Sequence, residues 1–287
     1  MRYKLEETHP LSFSKEWPNN SILGNLSNKT SRESLGSKTS NTTNRTYSLK
    51  WIPMDTEDNF NQLKEDGFPN RFDADSFNYE VNVHGFRCDD FNTLDFTKQS
   101  IVYLGCSHTF GIGSPEEDIW CSILHKLLQE HYNTEFNYVN LGVGGGCIDD
   151  YLRFMPYIKK FNPHMIISCT PPMHRMILPY DADINGWDNY KGFWTEKNRN
   201  TNSYHELLKY NDEYFIYKYD MTLQVVKSIT DAMNIEFYEA NIRDTFFDLK
   251  ELITKLGDKA HNRDGCHFAR ELHEIFATSY FKKITEK

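Results

Sequence analysis

Short apolar runs rich in β-forming residues alternate with stretches in which apolar residues recur at helical spacing, and this alternation organises the chain from about residue 100 onward. The run Ile101 to Leu104 ends at Gly105 and predicts a buried strand. Past it, Ser114, Pro115 and Glu117 supply an N-cap, a first-turn proline and a capping-box acid, so a helix is expected to begin there. Its stripe is Ile119, Trp120, Ile123, Leu124, Leu127 and Leu128. Asn137 to Leu141 predicts a second strand, followed by the loop GVGGGC and a helix marked by Ile148, Leu152, Met155 and Ile158, with Pro156 as an expected kink. HMIISCT, from His164, predicts a third strand. Helical spacing returns at Leu223, Val226, Ile229 and Met233, and Ile235 to Ala240 predicts a fourth strand. A helix near Phe246 to Leu256, the loop HNRDGCHF and a closing helix carrying Phe268, Leu272, Ile275 and Phe276 complete the pattern. Strand, helix, strand at these lengths implies right-handed crossovers and a parallel sheet in an α/β domain.

The regions outside this pattern differ in composition. Residues 1–50 are dominated by Ser, Thr, Asn and Lys, which bury too little apolar surface to offset the entropy of ordering, so an extended N-terminal arm is expected, pinned through Trp17 and Trp51 if it is held at all. From 51 to 99 the chain is aromatic and turn-rich; NYEVNVHGFR alternates like a strand that ends at Gly85 and reads as a preamble, not a core. An insert at about 176–219 carries eleven aromatic residues among polar neighbours, including Trp187, Tyr190, Trp194 and Tyr204. Such rings suit a small private core or lid, and equally stacking on sugar rings. The expected organisation is therefore an arm over 1–50 and one domain over 51–287 containing the insert.

At 287 residues the chain is long enough for one large core, and a net charge of −9 argues against an electrostatic grip on nucleic acid or anionic lipid. No window approaches the roughly 18 consecutive apolar residues of a membrane span, and MRYKLEETHP lacks the apolar core of a signal peptide. A soluble, cytoplasmic protein without a membrane partner is expected. The six cysteines have no paired spacing and read as free thiols, the absence of CxxC and HxxxH patterns speaks against a zinc site, and the sequons at Asn25, Asn28, Asn41 and Asn44 mean little without secretion.

Candidate chemistry collects at strand ends. Ser107 stands just past the first strand, where α/β enzymes present a nucleophile, although a glycine-rich connection whose serine merely caps is the competing reading. A serine hydroxyl needs a histidine to accept its proton and an acid to orient that histidine. Asp264 and His267, three apart in DGCH, offer both; His84, His125, His164 and His205 lack a comparable acid in a late loop. NLGVGGGC, from Asn140 to Cys147, could supply backbone N–H donors to an oxyanion, or be a plain strand-to-helix turn; it lacks the Lys-Ser/Thr ending of a P-loop.

This ordered set of motifs resembles the SGNH/GDSL hydrolase family, in particular its GCS-type variant with phage-like members. GCSHTFG resembles the first block, with Ser107 as nucleophile and its N–H as an oxyanion donor; NLGVGG resembles the second, which gives Gly145 as the other donor; DGCH matches the Asp-x-x-His block, which gives Asp264 as acid and His267 as base. NVHGFR resembles a lead-in of some members. The resemblance covers roughly 80–175 and 235–283 and implies a flavodoxin-like, three-layer SGNH hydrolase fold, a serine esterase acting on a carboxylic ester, with an O-acyl group on a carbohydrate as one such substrate, and no cofactor or metal. A small-molecule or glycan ester is the implied partner, and the oligomeric state stays open. Two departures stand out: Cys106 replaces the usual aspartate, and the Gly-x-Asn-Asp block reads CTPPMHR, with Pro172 about where the asparagine belongs. Thr170, His174 and Arg175 are then the candidate substitute donors or substrate-binding residues. A catalytically silent glycan-binding or virion component and a sugar O-acyltransferase fit the same motifs.

Overall fold

The computed structural model describes residues 45–52, 55–68, 72–173, 175, 212–240 and 249–286. Its centre is strand β3 (Ser100–Gly105), buried along its whole length. A strand covered on both faces has no solvent side to make polar, which is why it reads as an unbroken apolar run. β4 (Asn137–Gly142), β5 (Pro163–Cys169) and β6 (Glu236–Ala240) join it in one four-stranded sheet of order β4-β3-β5-β6. Every pairing in that sheet is parallel, with Val102 opposite both Val139 and Ile166, and Ile166 opposite Phe237.

Side-chain alternation along the strands sends Ile101, Tyr103, Met165 and Ile167 to one face, where they meet Trp120, Leu124 and Leu128 of α3 (Trp120–Tyr132) and Leu272, Phe276 and Tyr280 of α7 (Arg270–Thr285). Val102, Leu104, Val139, Leu141 and Ile166 face the other way, onto Tyr151, Phe154 and Ile158 of α4 (Asp149–Ile158) and Val226 of α5 (Asp212–Ala232). The result is the expected three-layer α/β arrangement, with helices on both faces of a parallel sheet. α6 (Leu249–Leu256) packs Leu252, Ile253 and Leu256 against the first of these clusters.

Several elements depart from the sequence reading. The chain becomes helical at once after β3, in the short α2 (Ser107–Phe110), and not at Ser114. Ser114 is buried and accepts a hydrogen bond from Asn262 Nδ2, Glu117 is exposed within a 3₁₀ turn (Glu116–Asp118), and so the residues that resemble a capping box do not cap an α-helix and α3 starts only at Trp120. α5 is longer than the Leu223–Met233 stripe and takes in the last residues assigned to the insert; 176–211 lie outside the described residues, as do His205, Phe246 and the sequons. Phe268 precedes α7 and pairs in an isolated bridge with His261.

The preamble is built into the fold. β1 (Tyr47–Leu49), which falls inside the stretch read as an arm, pairs antiparallel with β2 (Tyr79–Val81). β2 stops short of Gly85 because the Asn82 side chain accepts from the N–H groups of His84 and Phe86, both at 3.0 Å, which turns the chain. α1 (Glu57–Glu65) is capped by Thr56, whose hydroxyl accepts from Asn59 N–H at 3.2 Å. Leu49, Ile52, Tyr79 and Val81 form a buried cluster with Phe110 and Ile112, the residues that follow Ser107.

Candidate active site

Ser107 opens α2 immediately beyond the carboxyl end of β3 and is buried, with the Cys106 sulfur 4.0 Å from its hydroxyl. Gly105 lets α2 fold back closely: a Cβ there would lie 1.9 Å from Thr109 Oγ1 and 2.8 Å from the Cys169 carbonyl oxygen. β4 delivers the glycine loop to the same place. Val143 N–H donates to Gly105 O at 3.0 Å, and the Asn140 side chain donates to Thr109 O at 2.8 Å while accepting from Gly142 N–H at 2.9 Å. One buried asparagine therefore ties the serine's helix to the glycine loop. Within the loop, Gly146 N–H donates to Val143 O and Cys147 N–H to Asp150 Oδ2, both at 2.8 Å. Gly145 sits at φ 65°, in the left-handed region. Among the described residues, neither the Ser107 nor the Gly145 N–H donates to a backbone carbonyl.

Asp264 and His267 are both buried and interact through two distinct bonds. His267 N–H donates to Asp264 Oδ1 at 3.0 Å, and the His267 Nδ1 hydrogen bonds with Asp264 Oδ2. In the tautomer that donates from Nδ1 to the carboxylate, Nε2 is the acceptor nitrogen. The loop is closed by Asn262 N–H to His267 O at 2.9 Å and turned at Gly265, φ 68°. The His267 ring lies 5.0 Å, centroid to centroid, from the ring of His108, the residue after Ser107, and His108 stacks on Phe268 at 4.4 Å. Across the gap, Arg263 N–H donates to Gly113 O at 3.2 Å, and a Cβ on Gly113 would stand 2.9 Å from Asp264 Oδ1. The loop that carries the acid and the base is thus pressed against the loop that follows the serine.

The structure brings Ser107, the glycine loop and the Asp264–His267 pair to one end of the sheet. Arg175 also belongs there: it is buried, and its Nη1 donates to Gly146 O at 3.3 Å. Thr170 bonds away from the loop, through its N–H and hydroxyl to Ala240 O at 2.9 and 3.4 Å and with the Tyr219 hydroxyl. His174 lies outside the described residues. Of the remaining histidines, His125 is a core residue between Tyr103 and Phe136, its pKa drawn down to about 4 by burial, and His164 stacks on Phe136 at 5.2 Å. Among the described residues, no group of three or more His, Cys, Asp or Glu could hold a metal ion, and no helix is long and apolar enough to cross a membrane.

The sequence reading missed Asn140 as a tie, and with it Asp55, Tyr79, Arg87 and Arg263. Arg263 and Asp55 form an ion pair at 2.6 Å with both side chains fully buried. Arg87 Nη1 donates to Gly111 O at 2.7 Å, at the carboxyl end of the serine's helix. The signal for Arg87 and Arg263 was present in NVHGFR and HNRDGCHF, as arginines set among apolar and turn residues, but their partners are too distant in sequence to be read from it.

No family model and no curated protein matches the chain. Solved structures that resemble it include a family 3 carbohydrate esterase from Clostridium thermocellum, at 12% identity over 64% of this chain and 94% of that one, TM-score 0.35. An acetyl xylan esterase, Axe2, from Geobacillus stearothermophilus is similar at 17% identity over 65% of this chain and 94% of its own, TM-score 0.35. A two-domain esterase active on acetylated mannans is similar at 16% identity over 66% of this chain and 50% of its own, TM-score 0.38.

Proposed function

We propose that this protein is a serine ester hydrolase of the SGNH type, with Ser107 as nucleophile, His267 as general base and acid, and Asp264 as the group that fixes the imidazole. The observation that carries this reading is the buried Asp264–His267 hydrogen bond beside the helix that Ser107 opens. As Ser107 Oγ attacks the ester carbonyl carbon, His267 Nε2 takes its proton and the carbonyl oxygen becomes an oxyanion. The N–H groups of Ser107 and Gly145 are the donors for that charge; one such donor typically contributes about 10²–10³ in turnover. The imidazolium returns the proton to the leaving alcohol, and the acyl-serine remains. Water then attacks the acyl carbon, giving its proton to His267, and the ester bond to Ser107 breaks with that proton restored to Oγ.

The finer reading is an O-acyl group on a carbohydrate as substrate. The eleven aromatic residues of 176–219, close in sequence to Arg175, support it, since flat rings suit sugar faces. Acyl transfer to a sugar hydroxyl instead of water uses the same three residues. A silent scaffold that binds glycans is the rival reading, favoured by one observation: residues 169–175 offer no asparagine, and the Thr170 hydroxyl is engaged with Ala240 and Tyr219.

Turnover of p-nitrophenyl acetate and release of acetate from an acetylated oligosaccharide test the proposal together. Activity on both that disappears in Ser107→Ala supports the enzyme and its carbohydrate preference. Activity on the small ester alone removes the preference, and inert wild-type protein that still binds the oligosaccharide favours the silent scaffold.

A further inference from the structure

The segment before β3 grips the acid–base loop at three successive residues. Arg263, directly before Asp264, donates to Asp55 from Nη2 at 2.6 Å and from Nε at 3.0 Å, across 208 residues of sequence, and from Nη2 to Lys50 O at 2.9 Å. Its guanidinium lies over the rings of Phe77 at 3.9 Å and Trp51 at 4.4 Å. The carbonyl of Asp264 itself accepts from Asn59 Nδ2 of α1 at 3.3 Å. At Gly265 a Cβ would meet Leu63 of the same helix at 3.0 Å.

The same cluster reaches the serine's side. The Tyr79 hydroxyl donates to Asp55 Oδ2 and accepts from Gly113 N–H at 2.8 Å. Burial first, then the Asp55 carboxylate, hold this phenol well above its ordinary range, so it remains a donor. The other cation on that ring is Arg87, 5.0 Å away, whose Nη1 ends on Gly111 O. Two buried arginines therefore flank one tyrosine, one attached to the helix of Ser107 and the other adjoining Asp264.

A buried ion pair is weak grounds for stability, because desolvation cancels much of its attraction, but its fixed geometry suits the setting of a register between two segments. We propose that Asp55, Tyr79 and Arg263 are positioning residues that set the Asp264–His267 loop against the helix of Ser107, so that the described part of the segment before β3 belongs to the catalytic apparatus; this rests on the hydrolytic reading of Ser107, Asp264 and His267. None of the positioning residues touches substrate. They act through the alignment of Asp264 with His267, and among the described residues the titratable or charged groups about the His267 ring include Asp264 on its own loop, Arg263 beside Asp264, and His108 from α2, with His273 of α7 6.4 Å from His108.

The test compares wild type with Asp55→Asn, Tyr79→Phe, Asn59→Ala and Arg263→Lys, with two readouts: kcat and KM for p-nitrophenyl acetate, and the titration midpoint of His267 followed by the NMR signal of its ring carbon, which needs no substrate. Misaligning Asp264 weakens its hold on the imidazolium, and Asp55→Asn adds an uncompensated cation nearby, so both changes lower the His267 midpoint. The expected result is a midpoint lower by about half a pH unit or more in Asp55→Asn and Tyr79→Phe. With it, kcat should fall about tenfold or more at unchanged KM, since small misplacements are costly to turnover but not to binding. Arg263→Lys, which keeps the charge and loses the fork, should fall between these and wild type. Asn59→Ala disturbs no buried charge and keeps the test open if Asp55→Asn fails to fold; it should shift the midpoint in the same direction. Folded variants that melt earlier yet keep the wild-type midpoint and kcat would overturn the proposal and leave the cluster a purely structural one. Inert wild-type protein would remove the hydrolase reading alone, since the midpoints still report the alignment.

Discussion

Asp264 holds His267 twice, by the ring Nδ1 and by the backbone N–H, so the carboxylate fixes the imidazole's rotation and its position along the chain together. The single hydrogen bond to the ring would allow the histidine to swing about the carboxylate; the second removes that freedom. A third bond, from Cys266 N–H at 3.1 Å, holds the carboxylate itself.

Asp264→Asn therefore keeps much of the backbone geometry and changes the hydrogen-bond pattern of the ring. The amide can present an N–H to Nδ1 and stabilise the wrong tautomer, and a loss of roughly 10²–10⁴ in kcat is expected with KM little changed. Ser107→Ala and His267→Ala should each lose at least as much, and the double variant no more than the worse single one, because residues that act as a unit are not additive. Steady-state kinetics on an activated ester checks all four proteins.

Gly113 is the contact point between the two loops. An alanine there meets Asp264 Oδ1 and Asn262 Cβ, each at 2.9 Å, at a φ of 78°. The left-handed backbone alone costs about 1–2 kcal/mol for a non-glycine residue. Gly113→Ala is expected to lower both the denaturation midpoint and kcat, whereas Gly67→Ala, at φ 73° with open space about it, should lower stability only. Urea melts and kinetics measured side by side separate the two effects.

Around the glycine loop, the substitute-donor question becomes asymmetric. Arg175 bonds to Gly146 O, so Arg175→Ala is expected to reduce kcat roughly tenfold or more by loosening the loop or by removing a donor worth up to about 10²–10³. Thr170→Ala, whose hydroxyl bonds to Ala240 and Tyr219, should change kcat little. Equal and negligible effects from both would mean that two backbone N–H groups suffice.

Acid should destabilise the protein through His125. In the fold Tyr103 OH bonds to its Nδ1 at 3.3 Å and its Nε2–H donates to Phe136 O at 3.2 Å, which fills both nitrogens of the neutral ring. Burial lowers the pKa from 6.5 to about 4. Between those values the unfolded chain binds a proton that the folded chain does not, so stability falls as the pH drops from 6.5 to 4, by about 3 kcal/mol in all. His125→Gln should flatten this slope in denaturation series at fixed pH steps; an unchanged slope would show that other groups carry the acid dependence.

The thiols sort by burial. Cys88 and Cys121 are held up to about 12 by burial, and Cys147 well above its usual range for the same reason, while Cys266 is exposed between Asp264 and His267. A thiol reagent should modify Cys266 first in native protein and all six only after unfolding, which timed mass spectra of the labelled protein would read directly.

The strands were legible because a parallel sheet covered on both faces leaves no polar alternation: Ile101 to Leu104 and HMIISCT read as they fold. The Asp264–His267 pair was legible because three residues of one loop can close a hydrogen bond without help from the rest of the chain. Ser114 misled for the opposite reason, since its hydroxyl is taken by Asn262 and nothing local reveals a partner 148 residues away. Residues 51–99 show only the short alternation of NYEVNVHGFR, and the partners that tie this stretch to the acid–base loop, Asp55 and Arg263, meet only in the folded state. Composition could say that this stretch was aromatic; it could not say that the rings would line up on two buried guanidinium groups.

The most direct test of the proposed function is labelling of the folded wild-type protein with a fluorophosphonate, followed by intact mass and peptide mapping. The expected result is a single adduct on Ser107, absent in Ser107→Ala and formed far more slowly in His267→Ala. Folded wild-type protein that stays unlabelled, or that carries its adduct on another residue, would contradict the assignment of Ser107 as an activated nucleophile.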